Sequence, residues 1–333
     1  MRKPKINILI TGGAGYIGSS LTYFLKKYFN VYVLDDLSIG KKSQIKTKKF
    51  FKISLLNKKK LNNIFKKNKF DIIIHLAAHS NLRKSQINPT LFYKNNYQGT
   101  KNLIELMIKY KIKKIIFSST ASVYGEPKKI PIKENYKCKP ISVYGRSKLL
   151  AENYIKNKSI NRYKYIIFRY FNVAGSILES NLGETKDPPE HFIPIISKNI
   201  IYNKKFNLYN NFKTYDGTGI RDYIHVLDIC KAHRKAISYL KKKENKSNVF
   251  NLGSKEGISA LKIIKHFENI FKTKIKYSIK AKKRGEPDKL VSDINKSQKL
   301  LGWKITKNSY QIIKDTFIWQ KKFERFKKIN KIF

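Results

Sequence analysis

The run Ile6-Asn-Ile-Leu-Ile-Thr-Gly-Gly-Ala-Gly-Tyr-Ile-Gly18 constrains the fold more than any other segment. A short apolar strand leads directly into Gly12, Gly15 and Gly18. Ile17, Leu21, Phe24 and Tyr28 then recur at helical spacing. Strand, glycine turn and helix in that order bring backbone N–H groups and a helix N-terminus up to a pyrophosphate. A second apolar run, Val31 to Leu34, ends in Asp35. A carboxylate at that point can accept hydrogen bonds from an adenosine ribose. Asp36 adds a second negative charge, and together the two should repel a 2′-phosphate. The reading is a site for NAD rather than NADP, with Tyr16 and Ile17 in the glycine turn.

Further apolar strands alternate with helical patterns at 50–53, 71–76, 114–118 and 165–169. This rhythm predicts an α/β fold with a doubly wound parallel sheet. It stops near residue 175, where a stretch rich in Gly, Pro, Asp and Glu reads as loop. Residues 223–252 read as a return to the first domain: a strand from Tyr223 to Val226, a helix, and a strand from Val249 to Leu252. The expected division is 1–175 plus about 223–252 for the dinucleotide-binding domain. About 176–222 plus 253–333 form a smaller mixed α/β substrate lobe.

The chain has 333 residues and a formal net charge of +50, which invites a nucleic-acid reading. The lysines run from Lys3 to Lys331 without forming a block, and Ile, Asn, Tyr and Phe are plentiful as well. That bias fits an AT-rich coding sequence, so the charge is read as solvated surface. No specific nucleic-acid partner is expected, and a polyanion-binding protein on a degenerate scaffold is the alternative from another class. Cys138 and Cys230 give neither a disulfide framework nor metal spacing. No metal is expected, a reducing cytoplasm is the natural setting, and no stretch approaches transmembrane length.

The strand Lys114–Thr120 ends in three hydroxyl residues, Ser118, Ser119 and Thr120. Ligands in such sheets sit at the carboxyl ends of the strands. Downstream, Tyr144 and Lys148 lie four residues apart at the start of a helical pattern and share one face. Eight other Tyr/Lys pairs have the same spacing, Tyr154/Lys158 among them, so spacing alone selects nothing in so lysine-rich a chain. Context selects Tyr144/Lys148, because this pair follows the hydroxyl-tipped strand. A cationic Lys148 beside NAD⁺ is expected to depress the Tyr144 phenol, making it a general base near neutral pH.

These residues resemble the extended short-chain dehydrogenase/reductase family and, within it, the UDP-glucose 4-epimerases. The likeness covers nearly the whole chain. It is carried by Thr11–Gly18, His75–Ala78, Asn95–Thr100, Ser118–Gly125, Tyr144–Lys148, Arg169–Gly175, Asp216–Val226 and Leu301–Trp303. The resemblance implies that Thr120, Tyr144 and Lys148 form the catalytic triad. It implies that Leu76, Ala77 and Ala78 line the nicotinamide side of the crevice, with Asn95 and Tyr170 as further cofactor contacts. Asn172, His191, Phe192, Tyr209, Arg221 and Arg284 fall where the family holds a UDP-sugar, and Leu290 where it gates the sugar's C2 substituent. Lys283 competes with Arg284 for the diphosphate. Ser54 stands where the family usually carries an adenine-binding Asp, and Lys84 where an acid is common.

The implied activity interconverts UDP-galactose and UDP-glucose through a 4-keto sugar, with NAD held throughout and a homodimer as the working form. Leu103, Leu106 and Met107 are offered as surplus apolar surface for that dimer. The neighbouring activities are UDP-N-acetylglucosamine 4-epimerase and UDP-glucuronate decarboxylase. A 4,6-dehydratase is disfavoured because Ala121-Ser122, and not an Asp-Glu pair, follow Thr120.

Overall fold

The computed structural model describes residues 5–282 and 286–330, the last without its side chain. Lys283, Arg284 and Gly285 lie outside the described residues. The strands are β1 (Asn7–Thr11), β2 (Asn30–Asp35), β3 (Phe50–Lys52), β4 (Ile72–His75), β5 (Lys114–Thr120), β6 (Lys164–Tyr170), β7 (Asn172–Ala174), β8 (Phe206–Asn210), β9 (Ile220–His225), β10 (Asn248–Leu252), β11 (Gly257–Ser259), β12 (Tyr277–Ala281) and β13 (Lys289–Leu290). The α-helices are α1 (Tyr16–Leu25), α2 (Lys58–Lys67), α3 (Leu82–Ile87), α4 (Pro89–Phe92), α5 (Gly99–Lys109), α6 (Val143–Ser159), α7 (Phe192–Ile201), α8 (Val226–Lys241), α9 (Ala260–Phe271), α10 (Asn295–Leu301) and α11 (Ser309–Asn330).

Seven strands form one parallel sheet in the order β10-β6-β5-β4-β1-β2-β3. Successive side chains of a strand point to opposite faces, and the apolar runs use both. Ile8 and Ile10 pack toward α1 and α8, with Leu21, Ile229 and Ile237. Leu9 points the other way, into the layer of α2, α5 and α6, with Leu61, Leu103 and Ile155. Ile72 and Ile74 against Ile73, and Ile166 and Phe168 against Ile167, repeat the division. A sheet buried on both faces requires such unbroken apolar strands.

The strand order reverses at β1, whose neighbours are β2 and β4. The crevice therefore opens at the carboxyl ends of β1 and β4, where a doubly wound sheet binds its ligand. Leu103, Leu106 and Met107 are all buried in the chain's own core. They offer no surface to a partner, because α5 buries that face against α2 and the sheet.

A second lobe packs α7, α9 and α11 around Ile193, Phe206, Ile263, Phe267 and Ile312. Its sheet centres on β9, paired with β7, β11 and β13, while β8 and β12 form a separate parallel pair. The sequence reading returns Tyr223–Val226 to the first domain; β9 hydrogen-bonds in the second sheet, while Ile224 and Val226 pack into the core beneath the first. An apolar strand pattern states that a strand is buried without stating which edge it joins. Burial of Asp222 anchors β9 there, with its carboxylate accepting from Ser254 and Ser292 backbone N–H groups. Helix α8 and strand β10 pack with the first sheet, and Ile224, Leu301 and Trp303 join the same core. Among the described residues, no helix is long and apolar enough to cross a membrane.

Candidate active site

Between the lobes runs a cleft of about 640 Å³. Gly12, Gly15, Tyr16, Ile17 and Gly18 line one end, together with Asp35 and Asp36. Gly12 has φ +75°, and a Cβ there would lie 2.5 Å from the Ala77 backbone nitrogen, so only glycine lets β1 turn so close to β4. Gly15 caps α1 without any side-chain hydrogen bond, and the first turn of α1 holds no acid. Its N–H groups are left for an anion. Asp35 ends β2 and is buried. Its carboxylate accepts from Ala14 N at 3.0 Å and Leu37 N at 2.8 Å. Burial raises its pKa, and these N–H bonds work against the rise. A cradle bared by glycine, an open helix terminus and a carboxylate one strand away fit a dinucleotide.

The wall continues through Leu76, Ala78, Asn95 and Tyr170. Asn95 belongs to a π-helical turn, Tyr93–Gln98, ahead of α5. The next residue, Asn96, is buried and holds His79 by both backbone groups, at 2.8 and 3.0 Å. Tyr170 Oη contacts His233 Nε2 at 2.9 Å. Ala77, next to Leu76, packs toward the α2–α5 layer.

Thr120, Tyr144 and Lys148 meet on the cleft floor. Strand β5 delivers Thr120 at its carboxyl end. Helix α6 delivers the other two, and Ser142 caps it by accepting from Gly145 N at 3.0 Å. A Cβ on Gly145 would stand 2.6 Å from the Ser122 carbonyl oxygen, so glycine sets how near α6 approaches β5. Lys148 is almost wholly buried, its Nζ 4.2 Å from the Phe117 ring centroid.

Burial pushes Lys148 down to about 7, against the pull of the Glu152 carboxylate. Burial likewise pushes the Tyr144 phenol up to about 12, although a hydrogen bond from Thr120 lowers it. The expected depression of Tyr144 by Lys148 is therefore not what the chain alone provides. Desolvation penalises both charged forms, and it exceeds what the pair offers each other.

Behind the floor, Arg169 grips Glu152 at 3.0 and 2.8 Å, and Ser119 donates to the same carboxylate. Arg169 also donates to Tyr124 Oη at 3.0 Å.

The second lobe supplies the other end. Asn172, His191, Phe192, Tyr209, Arg221 and Leu290 all line the cleft, and Leu290 lies beside Arg221 in the β13–β9 register. The buried Glu184 carboxylate, 2.8 Å from His191 Nδ1, raises the imidazole pKa. Arg221 donates Nη1 to the Ile220 and Asp288 carbonyls at 2.9 and 3.3 Å. Among the described residues no group of His, Cys, Asp and Glu could hold a metal ion.

Residues 8–253 match the family model described as the NAD dependent epimerase/dehydratase family. The UDP-glucose 4-epimerase of Lactobacillus helveticus is 36% identical over 95% of this chain and 97% of its own. The chain belongs to the NAD dependent epimerase/dehydratase family. Among solved structures, the UDP-glucose-4-epimerase of Stenotrophomonas maltophila superimposes with a TM-score of 0.92, at 27% identity, over 96% of this chain and 99% of that one. It holds NAD and formylated UDP-arabinopyranose. The UDP-Glc/GlcNAc 4-epimerase of Campylobacter jejuni is 37% identical, with a TM-score of 0.82 over 95% and 99% of the two chains.

Arg83, Glu184, Lys186 and Glu190 also line the cleft. No short motif marks them: Arg83 meets Tyr209 across 126 positions, and the other three pair within the irregular loop 184–191. The two departures within the described residues lie away from the triad. Ser54 Oγ accepts from Leu56 N at 3.3 Å, and Lys84 lies 3.7 Å from Glu190.

Proposed function

We propose that this chain is a UDP-glucose 4-epimerase, converting UDP-galactose to UDP-glucose and back through a transient 4-keto sugar. One observation carries the reading. A buried Tyr–Lys–Thr constellation shares a single cleft with a dinucleotide cradle at one end and an arginine and aromatic wall at the other. Tyr144 Oη removes the proton from the sugar 4-hydroxyl. Thr120 Oγ1 holds that oxygen during the transfer, and the Lys148 ammonium favours the phenolate and the cofactor ribose. When bound, NAD supplies the acceptor for the C4 hydride and a positive charge that favours the phenolate. Tyr209 and Arg221 retain the nucleotide while the ketone swings about the diphosphate linkage and offers its other face. Tyr144 then returns the proton.

Turnover of UDP-N-acetylglucosamine is the second reading. Leu290 lines the cleft and is partly buried, with a side chain smaller than tyrosine. The plain hexoses are the main pair, with measurable N-acetyl activity beside them. We further infer a homodimer through α5 and α6, where Leu150 stays 42% exposed on the monomer. A single mass for the monomer in light scattering at moderate salt contradicts it. Cys138 and Cys230, both free thiols, suit a reducing cytoplasm.

The test is to incubate purified protein with UDP-galactose, without added NAD, and follow UDP-glucose by NMR. Conversion supports the reading. No conversion even with NAD supplied overturns it.

A further inference from the structure

One guanidinium at the cleft mouth has no part in the reaction described so far. Arg83 sits exposed on α3, and its Nη2 lies 3.4 Å from the Tyr209 hydroxyl on β8. That contact reaches from the first lobe to the second, joining residues 126 positions apart.

The cations around it are already paired. Glu190 takes Lys186 at 2.5 Å and Lys84 at 3.7 Å. Asn81 also hydrogen-bonds Glu190, and Lys186 reaches Ser80 Oγ at 3.4 Å. The segment 80–84 is thereby tied to the loop 186–190 across the mouth. Arg83 itself has no carboxylate partner among the described residues. Its one short-range partner, a phenol at 3.4 Å, is a long and weak hydrogen bond.

Among the described residues, Arg221 is the other arginine on the cleft wall, and its guanidinium carbon lies 5.8 Å from the Phe212 ring centroid. Tyr209 and Phe212 are three residues apart. The two arginines therefore approach one aromatic wall from opposite lobes. A guanidinium binds phosphate oxygens through paired N–H donors and gains more from them than from a neutral phenol.

We propose that Arg83 is a substrate-binding residue that closes over the cleft mouth onto the phosphate groups of the nucleotide sugar, opposite Arg221. The proposal rests on the UDP-sugar reading above and adds a residue of the first lobe to it. It makes the mouth a clamp: Lys84, Lys186 and Glu190 hold the strap, and Arg83 supplies its charge.

The experiment measures UDP binding by calorimetry, and uridine binding by ligand-observed NMR, in wild type, Arg83→Gln and Arg83→Lys. Arg83→Gln is expected to weaken UDP roughly 10- to 100-fold, the range for a lost charged hydrogen bond, and to leave uridine unchanged. KM for UDP-galactose rises with it while kcat stays within about twofold, because uniform binding is what is lost. Arg83→Lys recovers part of the affinity. The melting temperature is unchanged, since the side chain is exposed. Equal UDP affinity in wild type and Arg83→Gln overturns the proposal while leaving the UDP-sugar reading intact. Equal weakening of uridine and UDP also overturns it, by assigning Arg83 to the base. A wild-type protein that binds no UDP overturns the UDP-sugar reading itself, and this proposal with it.

Discussion

The two ends of the cleft are built by opposite means. At the cofactor end, each functional group is delivered by a few consecutive residues on a rigid element. The glycine turn follows β1, Asp35 closes β2, and Tyr144 and Lys148 share one turn of α6. Behind them lies a sealed ionic network, Glu152–Arg169–Tyr124. At the sugar-nucleotide end, groups come from distant segments of both lobes, and most are half-buried, with His191 and Arg83 exposed. On the proposed reading, the proton and hydride chemistry falls to groups fixed by single elements, and substrate recognition to groups gathered from both lobes.

The sharpest test of this contrast is on the floor. Tyr144→Phe removes one hydroxyl and should cost roughly 10²–10⁴-fold in kcat, with the circular dichroism melt unchanged. Tyr154→Phe, in a pair of the same spacing but away from the cleft, should leave kcat within about twofold. Comparable losses in the two variants would end the distinction.

Next is the sealed network. Arg169→Met removes the two-pronged partner of the buried Glu152 carboxylate, leaving it Ser119 and Lys156 at 3.4 Å, and should destabilise the chain by about 3 kcal/mol in urea titration. Adding Glu152→Met should recover most of that loss.

At the recognition end the effect is selective. Leu290→Tyr should reduce kcat/KM for UDP-N-acetylglucosamine by about tenfold or more through steric exclusion, and spare UDP-galactose. An unchanged ratio removes Leu290 as the gate.

The smallest effect concerns stability. Lys148 is depressed from the ordinary lysine range to about 7. Between pH 7 and that range the unfolded chain holds a proton that the folded chain lacks, so stability rises with pH there. Below pH 7 the burial penalty is felt in full. Lys148→Met should therefore melt slightly higher than wild type near pH 6.5, with the gap closing toward pH 9.5, while turnover is lost. A lower melting temperature at both values contradicts the sign.

How much the sequence reveals follows the same division. The Rossmann strands are legible because Ile8, Leu9 and Ile10 must fill two cores at once, and only a doubly covered sheet permits that. The glycine turn and Tyr144/Lys148 are legible because each is local. The sheet membership of β9 is not, since its partners β7, β11 and β13 are chosen by the fold. The apolar spacing of Leu103, Leu106 and Met107 shows faces to be covered, but not that α2 and the sheet cover them. The upward shift of Tyr144 depends on burial, which spacing does not report. Arg83 carries no motif, because its partner Tyr209 lies 126 positions away, and Glu184 and Glu190 pair within a loop that has no periodicity to read.

The central claim is that C4 loses and regains its hydrogen as hydride inside the cleft, while only the Tyr144 proton is exchangeable. It is tested by converting UDP-galactose in D₂O and examining C4 of the UDP-glucose formed by NMR and mass spectrometry. The account predicts inverted configuration with no deuterium at C4. Deuterium at C4 would mean that the hydrogen left as a proton, and would contradict the mechanism assigned to this site.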